Sequence, residues 1–154
     1  MKLALFLCLA ILIVEPLHCQ DQIVDDMSVK RSFLIVKSTK NYSSALKTAK
    51  QASFKLNCEL NLRGMVSDSI AGLTSIDTCG CGEIHGYYPR GRYDNGAYVS
   101  IEYSNLFSGF AKGYYIVVVA SGNSEDVKKE LPKAKLIFPD AYIKSTSIYM
   151  GCVH

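Results

Sequence analysis

The chain has 154 residues, six cysteines, 49% apolar residues and a formal net charge of +3. This length predicts one domain, and the composition excludes collagen-like, low-complexity and disordered chains. The charge is too small to indicate a nucleic-acid or membrane-surface partner by itself. The sequence therefore indicates a globular protein, and its more specific information lies in particular segments.

The first 19 residues predict a secretory signal peptide. Lys2 precedes an uninterrupted apolar run over residues 3–14. That run is too short to cross a bilayer, which takes about 20 residues. Cleavage after Cys19 predicts a secreted or periplasmic protein. A lipid anchor on Cys19, and an N-terminal buried helix or membrane anchor, are the alternatives.

Four cysteines remain after cleavage: Cys58, Cys79, Cys81 and Cys152. An even number of cysteines in an exported chain predicts disulfides, and four cysteines allow three connectivities. A bond between Cys79 and Cys81 would close a small strained ring. We therefore expect one of them to pair with Cys58 and the other with Cys152.

A metal site is the alternative use of the same cysteines. Three thiols, Glu83 and two imidazoles are available around residues 79–85 and 152–154. The spacing is not the paired C-x2-C type, and the compartment favours oxidation. A Glu83–His85 acid–base pair in a glycine-rich loop is more often simply solvated. We expect no metal, no cofactor and no catalytic residue, so the chain is not predicted to be an enzyme.

The segments in chain order predict an α+β domain. Residues 20–31 read as a flexible leader, and residues 32–154 as the single domain. Strands are predicted at 32–37, 58–62, 97–103, 114–120 and 141–149. The fourth is almost wholly apolar, which indicates a central position covered on both faces, or one face that carries tyrosine. A helix capped by Ser43 or Ser44 should bury a stripe at a spacing of three and four, comprising Ala45, Ala49, Ala52 and Leu56. A second helix should begin at Ser124 and kink or end at Pro132.

Two strand–turn–helix–strand segments read alike, the first over 34–62 and the second over 116–147. Two such units predict a split β-α-β, ferredoxin-like sheet with two helices on one face. The Cys- and Gly-rich stretch 64–96 and the added strand at 97–103 are then an insertion between the halves.

Tyr114–Ser121, Ser124–Leu131 and Ala141–Ile143 resemble a SPOR (sporulation-related repeat) domain, and Phe33–Leu62 is similar in outline. The resemblance covers about 70 residues and depends on patterning. It implies a β-α-β-β-α-β fold outside the bacterial cytoplasmic membrane. It also implies binding of peptidoglycan glycan strands on the exposed face of the sheet.

The expected ligand surface is a loop of aromatic and cationic side chains: Tyr87, Tyr88, Arg90, Arg92 and Tyr93. Such rings and guanidinium groups stack on sugars and hydrogen-bond hydroxyls or carboxylates. Tyrosine-rich loops also suit protein recognition. We therefore expect a non-catalytic domain that binds cell-envelope glycan. The alternative is a protein-binding inhibitor or immunity-type protein of the same compartment, and packing of the tyrosines as a satellite core is a third interpretation.

Overall fold

The computed structural model describes residues 27–75, 89–92, 94 and 97–151, which form an α+β fold as predicted. The strands are β1 (Ser28–Thr39), β2 (Met65–Asp68), β3 (Gly72–Ser75), β4 (Ser100–Tyr103), β5 (Tyr115–Gly122) and β6 (Tyr142–Tyr149). The helices are α1 (Tyr42–Leu56) and α2 (Ser124–Ile137). Neither of these helices is long and apolar enough to cross a membrane. The predicted signal peptide lies outside the described residues.

The main sheet has the strand order β4-β5-β1-β6, and all three pairings are antiparallel. The ladder between β1 and β6 is unbroken over eight pairs, from Ser28 opposite Tyr149 to Ile35 opposite Tyr142. The strand predicted over 114–120 is confirmed as central. Its apolar run follows from burial on both faces, since β5 packs under helices on one side and aromatic rings on the other.

Both helices pack on one face of the sheet. The stripe predicted for α1 is confirmed, and each of its four residues is buried. The cap differs from the prediction, because Asn41 precedes the helix and its side chain accepts a 2.8 Å hydrogen bond from the amide of Ser44. An asparagine carboxamide reaches the third residue ahead as a serine hydroxyl would, so the helix begins earlier.

Pro132 does not end the second helix. It lies inside α2, which continues to Ile137. Pro132 is exposed, so the helix carbonyl that loses its amide partner can face water instead. Asn123, and not Ser124, caps this helix by accepting a 2.9 Å hydrogen bond from the amide of Asp126.

The region between the two predicted halves differs most from expectation. Residues 58–62 form no strand, only a single bridge between Leu60 and Val99. β4 takes the place beside β5 and so belongs to the main sheet. The stretch predicted to be irregular contains the β2–β3 hairpin, whose Gly72 lies at φ +81 against the ring of Tyr103.

The first strand begins earlier than predicted, because β1 begins at Ser28 and residues 28–31 are strand and not leader. Pairing with β6 explains the difference, since a polar segment becomes ordered when its backbone joins a ladder. The four-strand order and pairings therefore depend on contacts between distant segments.

Candidate functional site

The two arginines predicted to contact a ligand lie inside the protein. Arg90 is 0% exposed and Arg92 is 7% exposed. Tyr87, Tyr88 and Tyr93 lie outside the described residues. The prediction that the guanidinium groups of Arg90 and Arg92 contact a ligand at the surface is therefore wrong. Ligand contact by the three tyrosines stays a prediction.

Arg90 is held by partners from both central and edge strands. Its Nε donates a 3.0 Å hydrogen bond to Ser121 Oγ. Its Nη1 donates to Ser100 Oγ at 3.0 Å and to the carbonyl of Val118 at 3.1 Å. Its guanidinium carbon lies 3.8 Å from the centre of the Tyr98 ring. These contacts use the planar, multi-donor shape of arginine to attach the segment at residue 90 to β4 and β5.

Charge compensation comes from two carboxylates. Glu102 is 0% exposed, and its carboxylate accepts hydrogen bonds from Arg63 Nη1 at 3.1 and 3.3 Å and from Ser100 Oγ at 2.7 Å. Asp94 lies 3.2 Å from Arg63 Nε and accepts from the hydroxyl of Tyr98. The set Arg63, Arg90, Asp94, Tyr98, Ser100 and Glu102 is called the buried charge cluster below.

The pKa shifts in the cluster reflect this environment. Burial lowers the pKa of Arg90, partly opposed by the neighbouring Tyr98 and Glu102. Burial and the hydrogen bond to Asp94 raise the pKa of the Tyr98 hydroxyl. Burial alone would raise the pKa of Asp94, but hydrogen bonds from Tyr98 and Gly91, together with nearby guanidinium groups, lower it. The shifts of Tyr98 and Asp94 favour the neutral hydroxyl and the ionised carboxylate found in the cluster, whereas the lowered pKa of Arg90 reflects the cost of burying its charge.

Arg92 attaches the other end of segment 89–92 to the C-terminal part of the chain. Its guanidinium donates to the carbonyl of Gly151, and its Cζ lies 5.7 Å from the Tyr149 ring centre. Arg31 on β1 donates from Nε to the carbonyl of Gly91 at 3.3 Å. The arginines of residues 89–92 are thus internal anchors for this segment and not a contact surface.

A different aromatic and cationic surface lies on the sheet face opposite the helices. Its depression of about 120 Å³ includes Ser38, Phe110, Tyr114, Tyr142 and Lys144, and we call it the open corner. Tyr142 is 39% exposed, and its hydroxyl lies 2.8 Å from Ser38 Oγ. Lys144 Nζ lies 4.6 Å above the Phe110 ring and Lys40 Nζ lies 5.5 Å from the centre of the Tyr114 ring.

The open corner was missed from the sequence, although one signal for it existed. Alternation along residues 141–149 places Tyr142 and Lys144 on the same face as buried Ile148. Ser38 and Tyr114 come from elsewhere in the chain and meet Tyr142 only because β1 lies between β5 and β6. Proximity of this kind is set by strand order.

A larger cavity lies on the helix side, between α2 and the end of α1. It has a volume of about 470 Å³, and Cys58, Glu59, Asp126, Glu130 and Lys133 are among its lining residues. The volume lies within the range of about 300–1,000 Å³ usual for small-ligand sites. We call it the helix-side groove.

Cys58 forms part of the wall of this groove. It is half-buried, and its thiol lies 3.4 Å from the carbonyl of Ala97. Cys79, Cys81 and Cys152 lie outside the described residues, so the two disulfides stay a prediction. Within residues 27–75 and 97–151, no three His, Cys, Asp or Glu side chains cluster as metal ligands.

Comparisons with known proteins give no family for the chain. No family model matches it, and neither a curated protein nor a solved structure is detectably similar to it. Its function is therefore inferred from its own residues and geometry.

Proposed function

We propose that this chain is an exported, non-catalytic domain that binds cell-envelope glycan of the peptidoglycan type through the open corner. The observation that carries the proposal is the grouping of the exposed Tyr142 ring and the half-buried Tyr114 ring with hydroxyl and ammonium groups on one side of the sheet. Aromatic faces pack against the C–H faces of sugars, while hydroxyls and ammonium groups bond to sugar hydroxyls and carboxylates.

The shape of the corner supports a polymer ligand. At about 120 Å³ the depression is smaller than the pockets that enclose small molecules. It is open to solvent at the exposed ring of Tyr142, where a strand of linked sugars could pass across it. A shallow contact repeated along a polymer gives retention without deep enclosure.

The strand order supports the finer fold proposal. In the order β4-β5-β1-β6, α1 follows β1 and α2 follows β5, as expected of two β-α-β halves joined in one antiparallel sheet. A SPOR-like domain built this way keeps one face of its sheet free of helices. The open corner lies on that face.

Sedimentation with insoluble peptidoglycan tests the proposal. We expect the chain without residues 1–19 to be retained at low salt, and Tyr142→Ala to weaken retention about tenfold, equivalent to about 1.4 kcal/mol. Tyr149→Ala is the matched control, because Tyr149 lies on the same strand and is also 39% exposed. We expect that control to bind within about twofold of the original chain.

Two results would contradict glycan binding at the open corner. One is no retention of the unaltered chain at low salt. The other is an equal loss for both tyrosine variants while their circular dichroism stays unchanged, because the open corner would then have no special role.

A further inference from the structure

We propose that the helix-side groove is a second binding site, which takes an extended peptide segment carrying lysine or arginine beside aliphatic side chains. This site lies across the sheet from the open corner and does not depend on the glycan proposal. The argument combines the shape of the groove, its apolar floor and its charge.

The groove exists because the side chains between the end of α1 and the start of α2 are small. Leu34 and Val119 from the sheet form part of the floor, with Ala120 and Ala97 beside them. The alanines fill little of the space between the end of α1 and the first turns of α2. An apolar floor of this kind accepts aliphatic carbon atoms, including the methylene stem of a lysine or arginine.

The rim of the groove has a charge opposite to that of the whole chain. Among the described residues that line it, the charged side chains are three carboxylates and one ammonium, namely Glu59, Asp126, Glu130 and Lys133. The complete chain has a formal net charge of +3. A local excess of carboxylates on a cationic protein selects a cationic segment by charge complementarity.

The carboxylates on α2 are positioned by the helix. Asp126, Glu130 and Lys133 follow one another at spacings of four and three, so they share one side of α2. Hydrogen bonds from Lys129 and Asn123 lower the pKa of Asp126. Glu59 lies across the groove from them, after α1 has ended. Asp126 is already paired with Lys129 Nζ at 2.9 Å, so a cationic side chain in the groove would meet chiefly the carboxylates of Glu59 and Glu130.

The same features disfavour the ligand proposed for the opposite face. A glycan with carboxylates would meet like charge at this rim, and the lining residues that the structure describes include no aromatic ring for a sugar to stack on. The two faces therefore differ in the sign of charge and in the chemistry of the side chains. A domain with both sites could hold a wall polymer and a basic protein segment together.

Fluorescence anisotropy tests the proposal with two labelled heptapeptides. One alternates alanine or leucine with lysine, and the other has glutamate in place of lysine. We expect the chain without residues 1–19 to bind the lysine peptide at low salt and to bind the glutamate peptide at least about tenfold more weakly.

Two altered chains locate the site. Glu59→Gln with Glu130→Gln should weaken binding of the lysine peptide about tenfold or more, because two of three rim carboxylates are lost. Ala120→Leu should weaken it without a change in charge, because the added side chain occupies the floor. Glu125→Gln is the control for charge, since Glu125 is an exposed α2 carboxylate that does not line the groove.

Several results would overturn the proposal. These are no binding of the lysine peptide, equal binding of the glutamate peptide, or unchanged binding in both altered chains when thermal unfolding shows that they are folded. No glycan is present in this assay. Its outcome therefore stands apart from that of the sedimentation experiment.

Discussion

The two faces of the main sheet are closed in different ways. On the helix side, the described core is an apolar cluster to which the two helices and strands β1 to β5 all contribute. On the other side, Phe107 and Phe110 cover part of the sheet and the buried charge cluster covers another part. A helix presents a continuous apolar stripe, whereas a short loop segment brings its own polar backbone and needs polar partners where it is buried.

This difference determines which substitutions each face tolerates. A change on the helix side alters packing volume, and its cost follows the size of the gap. A change in the charge cluster leaves charged or polar atoms without compensation in the interior, which costs more than their net contribution when paired. The following predictions compare a packing change with changes in the charge cluster, both on the side without helices, beginning with the largest effect.

Phe107→Ala should destabilise the protein by about 4 kcal/mol, because a fully buried ring is lost. The ring is 0% exposed and lies 5.1 Å from Phe33 and 5.5 Å from Phe110, centre to centre. Urea unfolding followed by circular dichroism measures the change. Leu106→Ala, on the neighbouring 46% exposed residue, is the control and should cost far less. Similar losses in both would mean that the loop does not seal this face.

Glu102→Gln should destabilise the protein by about 3 kcal/mol, since it removes a buried negative charge that faces Arg63 and Arg90. Glutamine has nearly the same shape, so packing changes little. The same unfolding measurement applies. Glu125→Gln removes one partner of an exposed ion pair with Lys128 and should cost far less. A comparable cost at both positions would mean that burial of the Glu102 charge makes no difference to stability.

Acid should weaken the cluster through Asp94, the smallest of the three effects. The pKa of Asp94 is lowered from 3.8 in the folded chain, so the unfolded chain takes up its proton first as the pH falls. The contribution of Asp94 is therefore fully present above about pH 4 and is lost as the pH falls below 3.8 toward the folded pKa. Asp94→Asn should make the loss of stability between pH 4 and pH 2 shallower.

Urea midpoints at a series of pH values measure this slope. Asp140→Asn is the control, because Asp140 is exposed and lies after α2. An unchanged slope in Asp94→Asn would show that the carboxylate does not stabilise the cluster through its charge.

The buried charge cluster shows why the burial of Arg90 could not be predicted from the sequence. Arg90 stands between a proline and a glycine among tyrosines, which is also the composition of an exposed binding loop. Its burial depends on Glu102, Ser121 and Tyr98, which compensate its charge and hydrogen-bond donors only after β4 and β5 have paired. A local pattern carries no information about partners that are brought together by folding.

Local physics determined much of the rest. The apolar stripe of α1 follows from its spacing, and the burial of β5 on both faces follows from its unbroken apolar run, so both were predictable from neighbouring residues alone. The sequence by itself thus determined the two helices, the four strands of the main sheet and the α+β class, but not the β2–β3 hairpin. Only the tertiary structure decided that β4 replaces residues 58–62 beside β5, that two arginines turn inward, and that Ser38, Tyr114 and Tyr142 meet. The physical reason is that periodicity acts over a few residues, whereas strand pairing and charge compensation join residues that are far apart in the chain.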